Sequence, residues 1–141
     1  MEIIQRPAIQ VVGIQVEAST DALEGPVEAA WTELQDRVDA IIGRTGETLI
    51  QVRTELGDGT SRVLVGAQVD AGTPPPPDMD AELVYEARWI HDTHQGSLDT
   101  VGDTLARMLD FAADEGVHAD GVTMTVGHGA DSSHDLYVRL G

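Results

Sequence analysis

Trp31, Tyr85, Trp89 and Tyr137 are four of the five aromatic residues in this chain, and Tyr85 and Tyr137 stand within two residues of a carboxylate. Flat rings offer rigid contact area and attract cations to their faces, so aromatics with a nearby acid suit the capture of a small organic molecule, above all a positively charged one. Asp135 stands two residues before Tyr137, and alternate residues of a strand share a face. Glu86 adjoins Tyr85, and Tyr85 and Trp89, four apart, are expected to point the same way along one strand. Each placement has a plainer reading. Trp31 on the apolar side of a helix equally suits core packing, and Asp135 equally suits an edge position or an ion pair with Arg88 or Arg139.

Other constellations point to less. Five histidines are present, with His91 and His94 at a strand-to-helix junction and His128 and His134 flanking Asp131. Zinc needs three or four ligands within about 2.1 Å of one point, and these groups lie on separate loops with no helical i, i+4 pair. No metal and no cofactor is expected, and no histidine stands out as an axial haem ligand in an apolar pocket. Ser132, His134 and Asp135 are near neighbours in sequence, but adjacent strand residues diverge, so they do not form a triad. There is no Gly-x-Ser-x-Gly elbow and no cysteine nucleophile. Catalysis would need a carboxylate converging with a hydroxyl or ring nitrogen, as Asp135 with Tyr137 or Glu86 with Tyr85 would supply.

The elements that must position these residues occur twice. Ala8 to Glu17 reads as a strand apolar on both faces. Gly25-Pro26 opens a helix whose Val27, Ala30, Trp31, Leu34, Val38, Ile41 and Ile42 fall at spacings of three and four, ending at Gly43 or Gly46. Leu49 to Glu55 and Arg62 to Val69 form a hairpin across Gly57-Asp58-Gly59. The second copy runs through a strand at Ala81 to Ile90 and a helix introduced by Gly96 with Leu98, Val101, Leu105, Met108, Leu109 and Ala112 on its buried stripe. It closes with strands at Gly121 to Val126 and His134 to Leu140. Matched positions keep an offset of 71 to 73 residues. The halves, about 1–72 and 79–141, are joined by a Pro-rich tether at 73–78 that favours an extended, semi-rigid conformation. The expected fold is a single α+β domain, an antiparallel sheet of two βαββ units with both helices on one face and a crevice between the copies.

Composition narrows the partners. Twenty-five acidic residues oppose eight basic ones for a net charge of −17, and every base is arginine. Such a surface repels phosphate backbones, so no direct contact with nucleic acid is expected. The same balance fits a salt-loving source, where screening makes the self-repulsion tolerable. No apolar run approaches the roughly 20 residues that span a bilayer, and no export signal opens the chain, so a cytoplasmic protein without a membrane partner is expected.

Val11-Val12-Gly13, Trp31 with Leu34, Trp89 before Thr93-His94-Gln95-Gly96, Val65 to Val69, and Asp135-Leu136-Tyr137-Val138 together resemble the GyrI-like family of bacterial transcription-activator effector-binding domains. That family includes the gyrase inhibitory protein, the C-terminal domain of the Rob regulator and the ligand domains of MerR-type multidrug regulators. The resemblance implies two βαββ halves around a crevice that binds lipophilic, often cationic, molecules. It also implies that Asp135, where the family usually carries a Glu one methylene longer, answers a ligand's charge, and that His94 caps or hydrogen-bonds the second helix.

The function expected is a stand-alone small-molecule binding domain for sensing or sequestration. With its first strand within ten residues of the start, it would regulate through a protein partner such as a transcription regulator or topoisomerase. The ligand contacts expected are Trp31, Tyr85, Glu86, Trp89, Asp135 and Tyr137. The alternatives are a GyrI-like hydrolase of small electrophilic compounds and a protein-binding adaptor such as a gyrase modulator.

Overall fold

The computed structural model describes residues 1–96, 100–127 and 133–141, apart from the side chain at position 47. The strands are β1 (Glu2–Arg6), β2 (Ile9–Ser19), β3 (Arg44–Glu55), β4 (Thr60–Val69), β5 (Asp80–Val84), β6 (Ala87–Gln95), β7 (Ala119–Gly127) and β8 (Ser133–Leu140), with helices α1 (Glu24–Arg37) and α2 (Val101–Glu115). The βαββ unit appears as β2-α1-β3-β4 and again as β6-α2-β7-β8. All pairings are antiparallel, in the order β1-β6-β8-β7-β3-β4-β2-β5.

Two differences from the sequence reading matter for the site. A strand at Glu2–Arg6 precedes the expected first one, and the expected strand from Ala81 to Ile90 is broken at Tyr85-Glu86 into β5 and β6. The breaks belong together. Ile9 pairs with Val84 and Arg6 with Ala87, so one register runs through both interruptions, from Gly13 opposite Asp80 to Glu2 opposite His91. Residues 2–19 and 80–95 are thus two long bent strands lying side by side. Because β2 also pairs with β4 and β6 with β8, the sheet wraps round on itself.

The wrapping gives the sheet an outer face under the helices and an inner face that packs against itself. Leu34, Ala30 and Leu23 of the α1 region cover Val12, Ile14, Val63 and Val65, and Met108 and Ala112 of α2 cover Ile90, Leu136 and Val138. On the inner face Val11, Val52, Leu64, Trp89 and Met124 are all at most 2% exposed with no helix above them. This is why β2 reads as apolar on both sides. Its odd residues point inward and its even residues toward α1.

Helix α1 is shorter than its apolar spacing suggests. α1 ends at Arg37, a 3-10 turn carries Val38–Ala40, and Ile42 is 64% exposed instead of buried. Gly43, at φ +72°, makes the turn there. In α2, Leu109 is exposed, and Gly116 closes the helix in the left-handed conformation that glycine adopts without strain. Position 98, the first of that stripe, lies outside the described residues. The prolines at 74–77 lie between β4 and β5, and the Arg37 guanidinium donates to the Pro77 carbonyl at 2.8 Å, tying the tether to α1.

Candidate functional site

α1 lies over β2 and β4, and α2 over β6 and β8, leaving β3 and β7 as the floor between them on the outer face. Beside the first turn of α1 this floor opens into a cavity of about 300 Å³, at the lower end of ligand-pocket sizes. Thr20, Asp21, Leu23, Glu24 and Val27 form one wall, with Gln51, Arg53 and Val63 on the other side. Gln51 pairs with both Val65 and Thr125, which places it mid-sheet and on the helix side.

Trp31 stands one turn beyond Val27. It is half-buried against the α1 core, and its indole N–H donates to the Gln51 side-chain oxygen at 3.0 Å. Trp31 does not itself line the cavity; it packs on the core beneath α1 and fixes the orientation of Gln51, which does. Arg53 lies 3.4 Å from Glu55, in an orientation that makes no hydrogen bond through Nε. Asp21 and Glu24 are exposed at the rim, so the mouth is acidic and the floor polar.

A second constellation occupies the inner face. Tyr137 carries His91 stacked on it with ring centres 4.8 Å apart, Trp89 edge-on at 6.4 Å, and the Arg6 guanidinium 4.3 Å from its centre. One His91 nitrogen is 3.0 Å from the Asp135 carboxylate and the other is 3.2 Å from that of Glu2. The Thr93 hydroxyl also donates to Asp135, at 3.2 Å. Burial pushes the Tyr137 phenol above its ordinary pKa of 10.0, the Arg6 charge works against that shift, and Asp135 and Glu2 add to it.

The six residues expected at one ligand therefore fall in three places. Trp31 faces the outer crevice, whereas Trp89, Asp135 and Tyr137 lie on the opposite face of the sheet. Trp89 is 1% exposed and packs in the inner core. Tyr85 and Glu86 are both exposed in the turn between β5 and β6, with Tyr85 67% accessible, so Tyr85 does not share a strand face with Trp89. Asp135 pairs with His91, while Arg139 pairs with Asp120 at 2.7 Å. His94 behaves as the resemblance implied, its ring nitrogens 2.7 Å from the Thr104 hydroxyl and 2.9 Å from that of Thr100 at the start of α2. His128, Asp131 and Ser132 lie outside the described residues.

Sequence reasoning passed over Gln51 and Arg6, and weighed His91 only as a metal ligand at a strand-to-helix junction, whereas it lies within β6. Gln51 and Arg53 did carry a signal, being polar residues in alternation where a strand under two helices should be apolar. Arg6 carried none until β1 was placed.

No family model matches the chain, and no curated protein matches it. Solved structures do. One is a protein from Staphylococcus aureus described as a putative bacterial transcription regulation protein. It aligns with TM-score 0.77 at 10% identity over 99% of this chain and 96% of its own. A protein solved with tetraphenylphosphonium bound gives 0.77 at 11% identity, over 99% and 93%. A hydrolase from Listeria innocua gives 0.63 at 15% identity, over 99% and 90%. At these identities the likeness is one of fold. The chain shares the α+β fold of these effector-binding domain structures, an antiparallel sheet with two helices.

Proposed function

We propose that this domain captures a small amphipathic molecule, an aromatic compound with a cationic or hydrogen-bonding centre, in the crevice beside α1, and so serves in ligand sensing or sequestration. The observation that carries this reading is the open cavity at the foot of α1, with Leu23, Val27 and Val63 beside a polar floor of Gln51 and Arg53 and an acidic rim; Trp31 stands behind it and holds Gln51 through its indole N–H. An apolar wall with a few oriented polar groups is the usual make-up of a small-molecule site. The fold shared with a structure holding tetraphenylphosphonium supports the same class of ligand.

Tetraphenylphosphonium and neutral triphenylphosphine oxide, titrated by calorimetry into the wild type and Trp31→Ala, test the reading. Binding in the wild type that weakens about tenfold in the variant supports it, since Trp31→Ala releases the Gln51 side chain on the cavity floor, and a hydrogen bond that fixes a binding group is worth roughly 1 kcal/mol. No heat for either compound at millimolar concentration, or equal affinity in both proteins, overturns it. The hydrolase alternative has a shared fold behind it, but its candidate groups Asp135, His91 and Tyr137 gather on the inner face, across the sheet from the cavity. Glu86 and Tyr85 sit in an exposed turn, and Asp135 turns to His91 and Thr93.

A further inference from the structure

Two rungs cross the outer face of the sheet. Val63, Arg53, Thr123 and Val138 lie opposite one another on β4, β3, β7 and β8, and Val65, Gln51, Thr125 and Leu136 form the next rung. Directly paired residues share a face, so each rung is apolar where α1 or α2 covers it and polar on the two uncovered middle strands. That polar middle is a set of donors. The Trp31 indole can only donate, so it engages the Gln51 oxygen and leaves the two N–H donors of the Gln51 amide for another partner. Arg53 adds a guanidinium, and Thr123 and Thr125 add hydroxyls. In a chain of 25 acidic and eight basic residues, these two rungs carry one arginine and no acid, so the floor is positive where the rest of the surface is negative.

The Arg53 charge is only partly answered within the chain. Its ion-pair partner Glu55 stands 3.4 Å from Nε, and that nitrogen is buried without a hydrogen-bond partner among the described residues. The other Glu55 oxygen accepts from the Ser61 hydroxyl at 3.1 Å. A guanidinium is best matched by both oxygens of one carboxylate, and Glu55 does not supply that match. A ligand carboxylate on the floor would face Arg53 with the Gln51 amide beside it, whereas a lone cation would meet a like charge there. The mouth has the opposite sign, with Asp21 and Glu24 exposed at the rim and Leu23, Val27 and Val63 supplying apolar walls. We propose, resting on capture in the crevice beside α1, that the molecule held there is an aromatic carboxylate that also carries a positive group. Arg53 and Gln51 hold the carboxylate on the floor, and the positive group turns to the acidic mouth. Arg53 is thereby the residue that sets specificity, ranking zwitterions above simple cations of the same shape.

4-(Aminomethyl)benzoate, its methyl ester, 4-methylbenzoate and methyl 4-methylbenzoate share one ring and carry both charges, the positive one, the negative one and neither. Each would be titrated by calorimetry into the wild type, Arg53→Gln and Trp31→Ala. The zwitterion is expected to bind the wild type about tenfold tighter than its ester, the size of one charge-assisted hydrogen bond, and to bind Arg53→Gln no tighter than the ester. Trp31→Ala is expected to weaken all four, since each offers an oxygen to Gln51. A zwitterion no tighter than its ester in the wild type, or a preference that survives in folded Arg53→Gln, overturns the proposal. Equal binding of all four that Trp31→Ala weakens removes the carboxylate preference and leaves the crevice as the site of capture. No heat from any of the four also overturns the proposal, and tetraphenylphosphonium binding that Trp31→Ala weakens would then keep capture in the crevice standing. Should Arg53→Gln fail to fold, NMR of the wild type decides. The Arg53 Nε–H resonance is expected to move on saturation with the zwitterion and not with its ester, and the same response to both refutes a carboxylate at Arg53.

Discussion

Gly13 and Gly66 face each other across β2 and β4 so closely that a Cβ on Gly13 would lie 2.0 Å from the Val65 carbonyl oxygen, and one on Gly66 would lie 2.1 Å from that of Val12. Both glycines point to the inner face, at the place where the sheet bends to enclose its own core. Neither clash is with a flexible side chain, so backbone must move to relieve it. Gly13→Ala and Gly66→Ala are each expected to destabilise the protein by about 3 kcal/mol or more, beyond ordinary overpacking. Gly25→Ala, with open space around it, is the control. Thermal melts of the three variants check this.

The duplication was legible because it rests on local signals. Apolar alternation, Pro26 in a first helical turn, and glycines at Gly57, Gly59 and Gly116 each dictate structure within a few residues. Asp135 and Tyr137 do share a face, as their spacing requires. Which face was not legible, since Trp89 and Ile90 are both apolar, and only the partners across the sheet decide that Ile90 meets α2 while Trp89 turns inward. The break at Tyr85-Glu86 was hidden for a similar reason. Neither residue is a turn former, and the bend is imposed by the matching kink at Pro7-Ala8.

The two tryptophans separate cleanly as reporters. Trp31 is half-buried at the crevice, whereas Trp89 is 1% exposed in the inner core. Acrylamide is expected to quench the Trp31 fluorescence and leave nearly all the emission that survives in Trp31→Phe untouched. Trp31→Phe also removes the donor to Gln51, at about 1 kcal/mol of stability, the net worth of one hydrogen bond. Quenching that is equal in the wild type and the variant would contradict this placement.

Salt should stabilise the fold. A net charge of −17 on 141 residues makes the compact state repel itself, and the screening length falls from about 30 Å at 0.01 M to about 10 Å at 0.1 M. The melting temperature is expected to climb steeply over that range and go on rising toward molar KCl. The same climb with NaCl below 0.1 M would identify screening as the cause, because specific ion effects are small there. A flat profile would show that the acidic surface carries little folding penalty.

Tyr137 gives the fold an alkaline limit. Its phenol titrates above the ordinary 10.0 because burial disfavours the phenolate. The folded state therefore holds the proton to higher pH than the unfolded chain does. The stability linked to that proton is fully present below the unfolded pKa of about 10 and is lost as pH rises through the folded value. Spectrophotometric titration near 295 nm should show a late tyrosine ionisation that Tyr137→Phe removes. Arg6 is the one neighbour that lowers the Tyr137 pKa, so Arg6→Gln should delay its ionisation further, while Asp135→Asn should advance it by removing a charge that opposes the phenolate. If Arg6→Gln advances the transition, the guanidinium does not lie over the ring in solution.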